Sequence, residues 1–322
     1  FGSGLRWDDP GWHVWWPEYD RALGKPLGAF TRNGFIFHRQ FEFLNVTADC
    51  ETLKATFEWK TPPPPPVRKG KLSVGRTNGV GAAVRDTVLF AGGYTDSAGK
   101  VKSDVVDIYN VTSDQWTVAH MSTGRTLFAG TALGDLAMFG CGETDGVKSE
   151  TDSVDVWDGR IGDWRPIEHL AQARKKCSAT SVVLARAGGD GHVTEGKIIF
   201  AGGWPLNGHA PSAVVDIFDY ATATWTSTNL SVPRMYMSAA SAGQYAVFAG
   251  GLSAEGDSQL VDIYDAVNDV WTTSMLITAQ REGAATSTLA GAVFFGGGHS
   301  QLWSAATRQW TTRNDTTEWA KM

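Results

Sequence analysis

At 322 residues the chain can hold one large or two medium domains, and its wealth of Gly (37) and Trp (14) among short alternating stretches points to an all-β protein. The balance of 28 basic against 34 acidic residues, net −6 and without a basic cluster, argues against a nucleic-acid surface. No run of about 18 apolar residues exists, so no membrane-spanning helix is expected.

The chain opens at Phe1 with neither Met nor a signal-like segment, and is expected to be a fragment or a processed product. Residues 1–60 are crowded with aromatics: Trp7, Trp12, Trp15, Trp16 and Tyr19, then Phe30, Phe35, Phe37, Phe41 and Phe43. Alternation over Gly34–Arg39 and Phe41–Trp59 predicts two or three strands of a partial sandwich-like β module. The segment Leu23-Gly24-Lys25-Pro26-Leu27-Gly28, with Arg39, Phe41, Glu42, Val46 and Asp49 beyond it, resembles the C-terminal β module of some glycoside hydrolases. That resemblance implies a catalytic barrel upstream of this chain. Trp12, Trp15 and Trp16 can be a sugar-stacking platform or the core of the module. His13 and His38 have no second ligand at metal spacing and read as structural.

Pro62–Pro66 is a five-proline run, expected to form a stiff polyproline II spacer, so residues 61–67 are read as a linker. From 68 to 314 a repeat takes over, leaving 315–322 as a tail. Its mark is Val106-Asp107-Ile108-Tyr109 with Trp116, which returns as Val154-Asp155-Val156-Trp157 with Trp164, Val215-Asp216-Ile217-Phe218 with Trp225, and Val261-Asp262-Ile263-Tyr264 with Trp271. Asp and Trp lie nine residues apart in each copy. A fifth copy is shorter, running from Phe295-Gly296-Gly297-Gly298 to Trp303 and Trp310, with Gln301 in place of the Asp.

Each copy reads as four strands. The first follows an arginine: Arg76, Arg125, Arg174, Arg234 or Arg281. It is built from small residues such as Gly81, Ala132, Ala179, Ala239 and Ala284, as expected where strands converge on a shared axis. The second ends in Gly92-Gly93, Cys141-Gly142, Gly202-Gly203 or Gly250-Gly251, where the backbone must turn sharply. Arginine and last glycine are 17 residues apart in four copies and 29 in the third, so a loop is expected around Ala185–Gly196. The spaced Trp opens the outer strand and is expected to be largely buried against a neighbouring repeat.

The succession of Arg, a strand ending in Gly-Gly, an aromatic strand and a spaced Trp resembles the Kelch repeat. The resemblance implies a Kelch-type β-propeller of five four-stranded repeats, at about 72–121, 122–170, 171–230, 231–276 and 277–314, preceded by the small N-terminal β module. Galactose oxidase is built on similar blades, but its copper chemistry needs paired histidines, and His120, His169, His192, His209 and His299 are scattered. No cofactor and no metal are expected, and this chain reads as non-catalytic.

Kelch propellers commonly receive partners at the loops around the mouth. Arg76, Arg125, Arg174, Arg234 and Arg281 recur at one point of the repeat. They can engage a protein or an acidic glycan there, with Trp204 and His209 at the rim. Alternatively each arginine bonds carbonyls or acids of the next repeat and holds the ring together. The functional reading is a protein- or glycan-binding module. The alternative is the accessory propeller of an extracellular glycoside hydrolase whose catalytic domain lies upstream. Cys50, Cys141 and Cys177 are too few for a disulfide framework, and the last two read as small packing residues. Sequons at Asn45, Asn110, Asn229 and Asn314 hint at glycosylation and a secretory route, or are unused.

Overall fold

The computed structural model describes residues 27–52, 54–60, 70–96, 101–145, 149–187, 192–206, 208–280, 285–289, 292–296, 300–304 and 309–313. Among them every regular element is a strand, and no helix is present that is long and apolar enough to cross a membrane. The chain divides into two compact units between Lys71 and Leu72.

In the first unit a single antiparallel sheet runs in chain order through Thr31–Asn33, Ile36–Gln40, Leu44–Asp49 and Lys54–Trp59. It is one sheet of four strands, where the alternation suggested two or three strands of a sandwich. Leu44 is fully buried, and His38 bonds Thr47 across the ladder at 2.9 Å, a structural use of that ring. The tryptophan cluster at 7–16 and the proline run lie outside the described residues.

The second unit is a series of antiparallel sheets, each a meander in chain order. Sheet I holds Val80–Val84, Thr87–Ala91, Val105–Asn110 and Gln115–His120. Sheet II holds Ala129–Leu133, Leu136–Gly140 and Ser153–Asp158, with Asp163–Trp164 and Glu168–His169 sharing the outer position. Sheet III holds Ser178–Ala187, His192–Ala201, Val214–Asp219 and Thr224–Asn229. Sheet IV holds Ser238–Ala242, Tyr245–Ala249, Gly256–Asp265 and Val270–Gln280. Sheet V holds Ala285–Leu289, Ala292–Gly296, Ser300–Ser304 and Gln309–Arg313. The first strands of consecutive sheets lie against one another from I to V, which the small side chains of those strands permit.

The insertion in the third copy is not a loop. It lengthens the first hairpin of sheet III to two ten-residue strands, with Ala185, Arg186 and Ala187 paired to Glu195, Val193 and His192 across a bulge. Val193 is buried there, so the extension carries core of its own.

Strand alternation gives each sheet two unlike faces. In sheet I one face presents Ala82, Leu89, Ala91, Val106 and Ile108; the other presents Phe90, Tyr109 and Trp116. The aliphatic face of each of sheets I to III packs on the aromatic face of the next. Leu89, Val106 and Ile108 cluster with Phe139, Trp157 and Trp164. Met138, Val154 and Val156 cluster with Phe200, Phe218 and Trp225. Ile199, Val215 and Ile217 cluster with Phe248, Tyr264 and Trp271.

Within each aromatic face the spaced Trp stands 4.9–5.2 Å from the third-strand ring. It stands 5.9–6.3 Å from the second-strand Phe. The tryptophans are less buried than their size suggested. Trp164, Trp225 and Trp271 are half-buried, and Trp116 is 37% exposed. The outer strand is an edge, so only the inward side of each indole meets a neighbour.

Phe200→Ala is expected to lower stability by about 3–5 kcal/mol, because the ring is enclosed between two sheets. Phe90→Ala, on the uncovered face of sheet I, should cost a fraction of that. Urea denaturation of both variants measures the difference.

Candidate functional site

Three of the recurrent arginines are the most buried charges among the described residues. Arg125, Arg174 and Arg234 are 0% exposed, and the side chain of Arg76 is 2% exposed. Each pairs with the aspartate of its own repeat. Arg76 meets Asp107 at 2.6 Å, Arg125 meets Asp155 at 2.5 Å, Arg174 meets Asp216 at 2.7 Å, and Arg234 meets Asp262. The other oxygen of each carboxylate accepts a backbone N–H from the residue three before the arginine: Ser73, Ser122, Ala171 or Ser231, at 2.8–3.0 Å.

The main chain of Arg125, Arg174 and Arg234 is tied to the preceding repeat. The N–H groups of Gly93, Gly142 and Gly203 donate to the carbonyls of Arg125, Arg174 and Arg234, each at 2.9 Å. The arginine N–H groups donate in turn to Ser103, Thr151 and Ser212. Burial pushes the guanidinium groups of Arg125, Arg174 and Arg234 below their ordinary value, and the facing carboxylates pull them back. At Asp107 burial acts upward, but the bonds from Ser73 and Arg76 outweigh it and hold the carboxyl below its usual range.

Guanidinium groups enclosed in this way have no face to offer a ligand. For Arg76, Arg125, Arg174 and Arg234 the expected ligand-facing ring is therefore corrected to a set of enclosed ion pairs, and Arg125, Arg174 and Arg234 also act as clamps between repeats. The alternative reading is also refined, since the acid belongs to the same repeat and only the backbone reaches a neighbour. Arg281 lies outside the described residues.

The glycine pairs explain why the clamps close. Gly92, Gly93, Gly202, Gly203, Gly250 and Gly251 all have positive φ. A Cβ at Gly202 would stand 2.3 Å from the carbonyl oxygen of Arg234 and 2.6 Å from Met237. Sheet II breaks the pattern with Cys141, at φ +55°. Across the seam, where Phe128 and Met237 lie near Gly92 and Gly202, the third repeat has Cys177. The two form a disulfide with Cα atoms 6.7 Å apart. They are thus a covalent staple between sheets II and III, not independent packing residues. Such bonds persist in oxidising compartments.

The accessible site lies two residues beyond each arginine. Asn78, Leu127, Lys176 and Tyr236 have φ of +51° to +60°, a region costly for bulky L-residues and frequent at functional positions. The N–H of Lys176 donates to Leu127 at 2.7 Å, and that of Tyr236 to Lys176 at 3.1 Å, so these residues run from sheet to sheet. Beside them a cavity of about 340 Å³ is walled by the first strands of sheets I–IV, including Val80, Gly130, Ser178, Tyr236 and Ser238. The Lys176 ammonium stands 4.7 Å from the centre of the Tyr236 ring. Sequence reasoning missed this set because the four residues share a backbone conformation and no chemistry.

The neighbouring cations are already engaged. Lys102 and Lys175 both meet Glu143, at 3.1 and 2.6 Å, and Lys175 also meets Glu150. Lys176 has no carboxylate partner among the described residues. Trp204 is half-buried in a two-residue ladder opposite Lys175, while His209 is exposed. Asn45 and Asn110 are half-buried, Asn229 is exposed, and Asn314 lies outside the described residues. Trp310 pairs with Trp303 in sheet V. No group of three or more metal-ligating side chains gathers among the described residues.

No family model matches the chain, and no curated protein matches it. Among solved structures, 792 chains match. One of them, described as "Structure of YjhT", aligns with a TM-score of 0.56 at 13% identity, covering 92% of this chain and 99% of its own. At that identity the likeness is one of fold alone. A fold shared so widely carries many unrelated functions, so any role must be argued from the site.

Arg234→Ala is expected to cost about 3–5 kcal/mol, because it leaves the Asp262 carboxylate buried without its counter-charge. Lys175→Ala, at a partly exposed pair, should cost no more than about 1 kcal/mol. Chemical denaturation separates the two. The Cys141–Cys177 bond spans 36 residues, for which chain entropy predicts a contribution of about 4 kcal/mol. Its reduction should lower the denaturation midpoint, and the double variant Cys141→Gly, Cys177→Met should be indifferent to reductant.

Proposed function

We propose that the chain is a non-catalytic binding module, a Kelch-type β-propeller whose sheets I–V are the blades and whose axial cavity receives an acidic group of a protein or glycan. The single observation that carries this reading is the cavity walled by the small-residue strands of sheets I–IV, with the Lys176–Tyr236 pair beside it. The ring of Tyr236 offers an apolar face, and the ammonium of Lys176 supplies the positive charge once assigned to the arginines. The buried clamps support the reading in a different way. They hold the strained backbone at Lys176 and Tyr236 in place before any ligand arrives, which lowers the ordering cost of binding.

The test uses Lys176→Asn and Tyr236→Asn, since Asn78 already occupies the equivalent position in the first repeat with φ +55°. On an array of carboxylated and neutral glycans and peptides, the unaltered chain should capture carboxylated members. Each variant should lose at least tenfold in capture while keeping its denaturation midpoint. Equal capture of neutral members, or variants that bind as well as the parent, would overturn the proposal.

A further inference from the structure

Asn229 stands apart from the other described sequons when the ends of the outer strands are compared. Sheets I and II place His120 and His169 there, each two residues before the backbone donor to the buried aspartate. Each histidine is held by an acid: His120 meets Asp104 at 3.1 Å and His169 meets Asp152 at 3.2 Å. In sheet III both partners change together. Asn229 takes the place of the histidine, and Ala213 takes the place of the acid just before the third strand. Asn229 is exposed, and among the described residues no side-chain hydrogen bond engages its amide.

Between Asn229 and Ser231, Leu230 is buried in the core, but the hydroxyl-bearing residue of the sequon is not claimed by packing. Ser231 is exposed, and its backbone N–H serves Asp262 at 2.9 Å. Ala171 performs that backbone task in the preceding repeat without a hydroxyl, so packing does not require serine at 231. Asn110 differs on each count. Its Nδ2 donates to Asp86 at 2.8 Å, and its Oδ1 accepts from Thr112 and Ser113 at 3.0 and 2.8 Å. Asn45 is half-buried within a strand, and its Oδ1 is enclosed.

We infer that Asn229 is an N-glycosylation site. A lipid-pyrophosphate-linked oligosaccharide is the donor: the asparagine Nδ2 loses a proton and bonds to the anomeric carbon, and the bond from that carbon to the pyrophosphate oxygen breaks. The Cys141–Cys177 disulfide is an independent sign of the oxidising route on which this transfer takes place. A glycan at this point would also cover the outer edge of sheet III, where unpaired backbone groups invite strand addition from another chain.

The experiment is to pass the full chain through the secretory pathway of a eukaryotic cell and analyse both the intracellular secretory pool and the medium. The readouts are intact mass and peptide mapping before and after peptide-N-glycosidase. The expected result is glycan on most copies at Asn229, marked by conversion of that asparagine to aspartate on release. It should be absent in Asn229→Gln and in Ser231→Ala, and the latter should match the parent in stability. Asn110 should be occupied less than Asn229. Chains with Cys141 and Cys177 oxidised but Asn229 unmodified would overturn the inference, as would glycan confined to Asn110 or Asn45.

Discussion

The second unit depends on one repeated interaction, an arginine enclosed with an aspartate at the start of each of sheets I to IV. An ion pair so far from water costs desolvation on both sides. It persists because further donors and acceptors meet most of the polar atoms of both partners, the Nε of Arg125 and of Arg234 excepted. The Asp155 carboxylate takes bonds from Arg125 and from Ser122, while the guanidinium also reaches the carbonyls of Cys141 and Ser153. Because the main chain of the same arginine is bonded to the preceding sheet, one residue fixes the register of two repeats. A lysine could not take its place, since a single ammonium lacks the fork that meets carboxylate and carbonyls together.

The seams between sheets follow from the same register. With the aspartate directly opposite the second-strand Phe, as Asp107 is to Phe90, alternation puts Leu89 and Ile108 on the other face. Sheets I to IV therefore each have an aromatic and an aliphatic side, and packing one on the other fills space with unlike shapes. The direction is uniform over the three seams described, and on the aromatic face of sheet I Phe90 and Trp116 are each 37% exposed. The disulfide at the seam of sheets II and III adds a covalent tie at a point where other seams rely on glycine under a large side chain.

The same clamps shape the site. Two residues past a buried, immobile arginine the backbone must turn into the first strand, and at Lys176 and Tyr236 it does so with positive φ. Enclosed surroundings make that conformation sustainable, and Tyr236 lines the cavity beside it. A buried charge thus sets the geometry while an exposed one is available for recognition, a division between positions only two residues apart.

Much of this was legible in the chain itself. The nine-residue interval from Asp107 to Trp116, repeated three times, and the glycine pairs determined that the protein is all-β and built of four-stranded repeats, because strand alternation and turn chemistry are local properties. Arg125 and Asp155 were each visible as recurrent, yet 30 residues separate them, and only the folded sheet brings them together. Cys141 and Cys177 are separated by 36 residues and meet for the same reason. Tertiary structure alone also decided that the arginines are enclosed, that the insertion near Arg186 is a hairpin, and that Asn78, Leu127, Lys176 and Tyr236 share one backbone conformation. Burial and backbone dihedrals are set by what neighbouring repeats place around a residue, and no pattern within a single repeat encodes them.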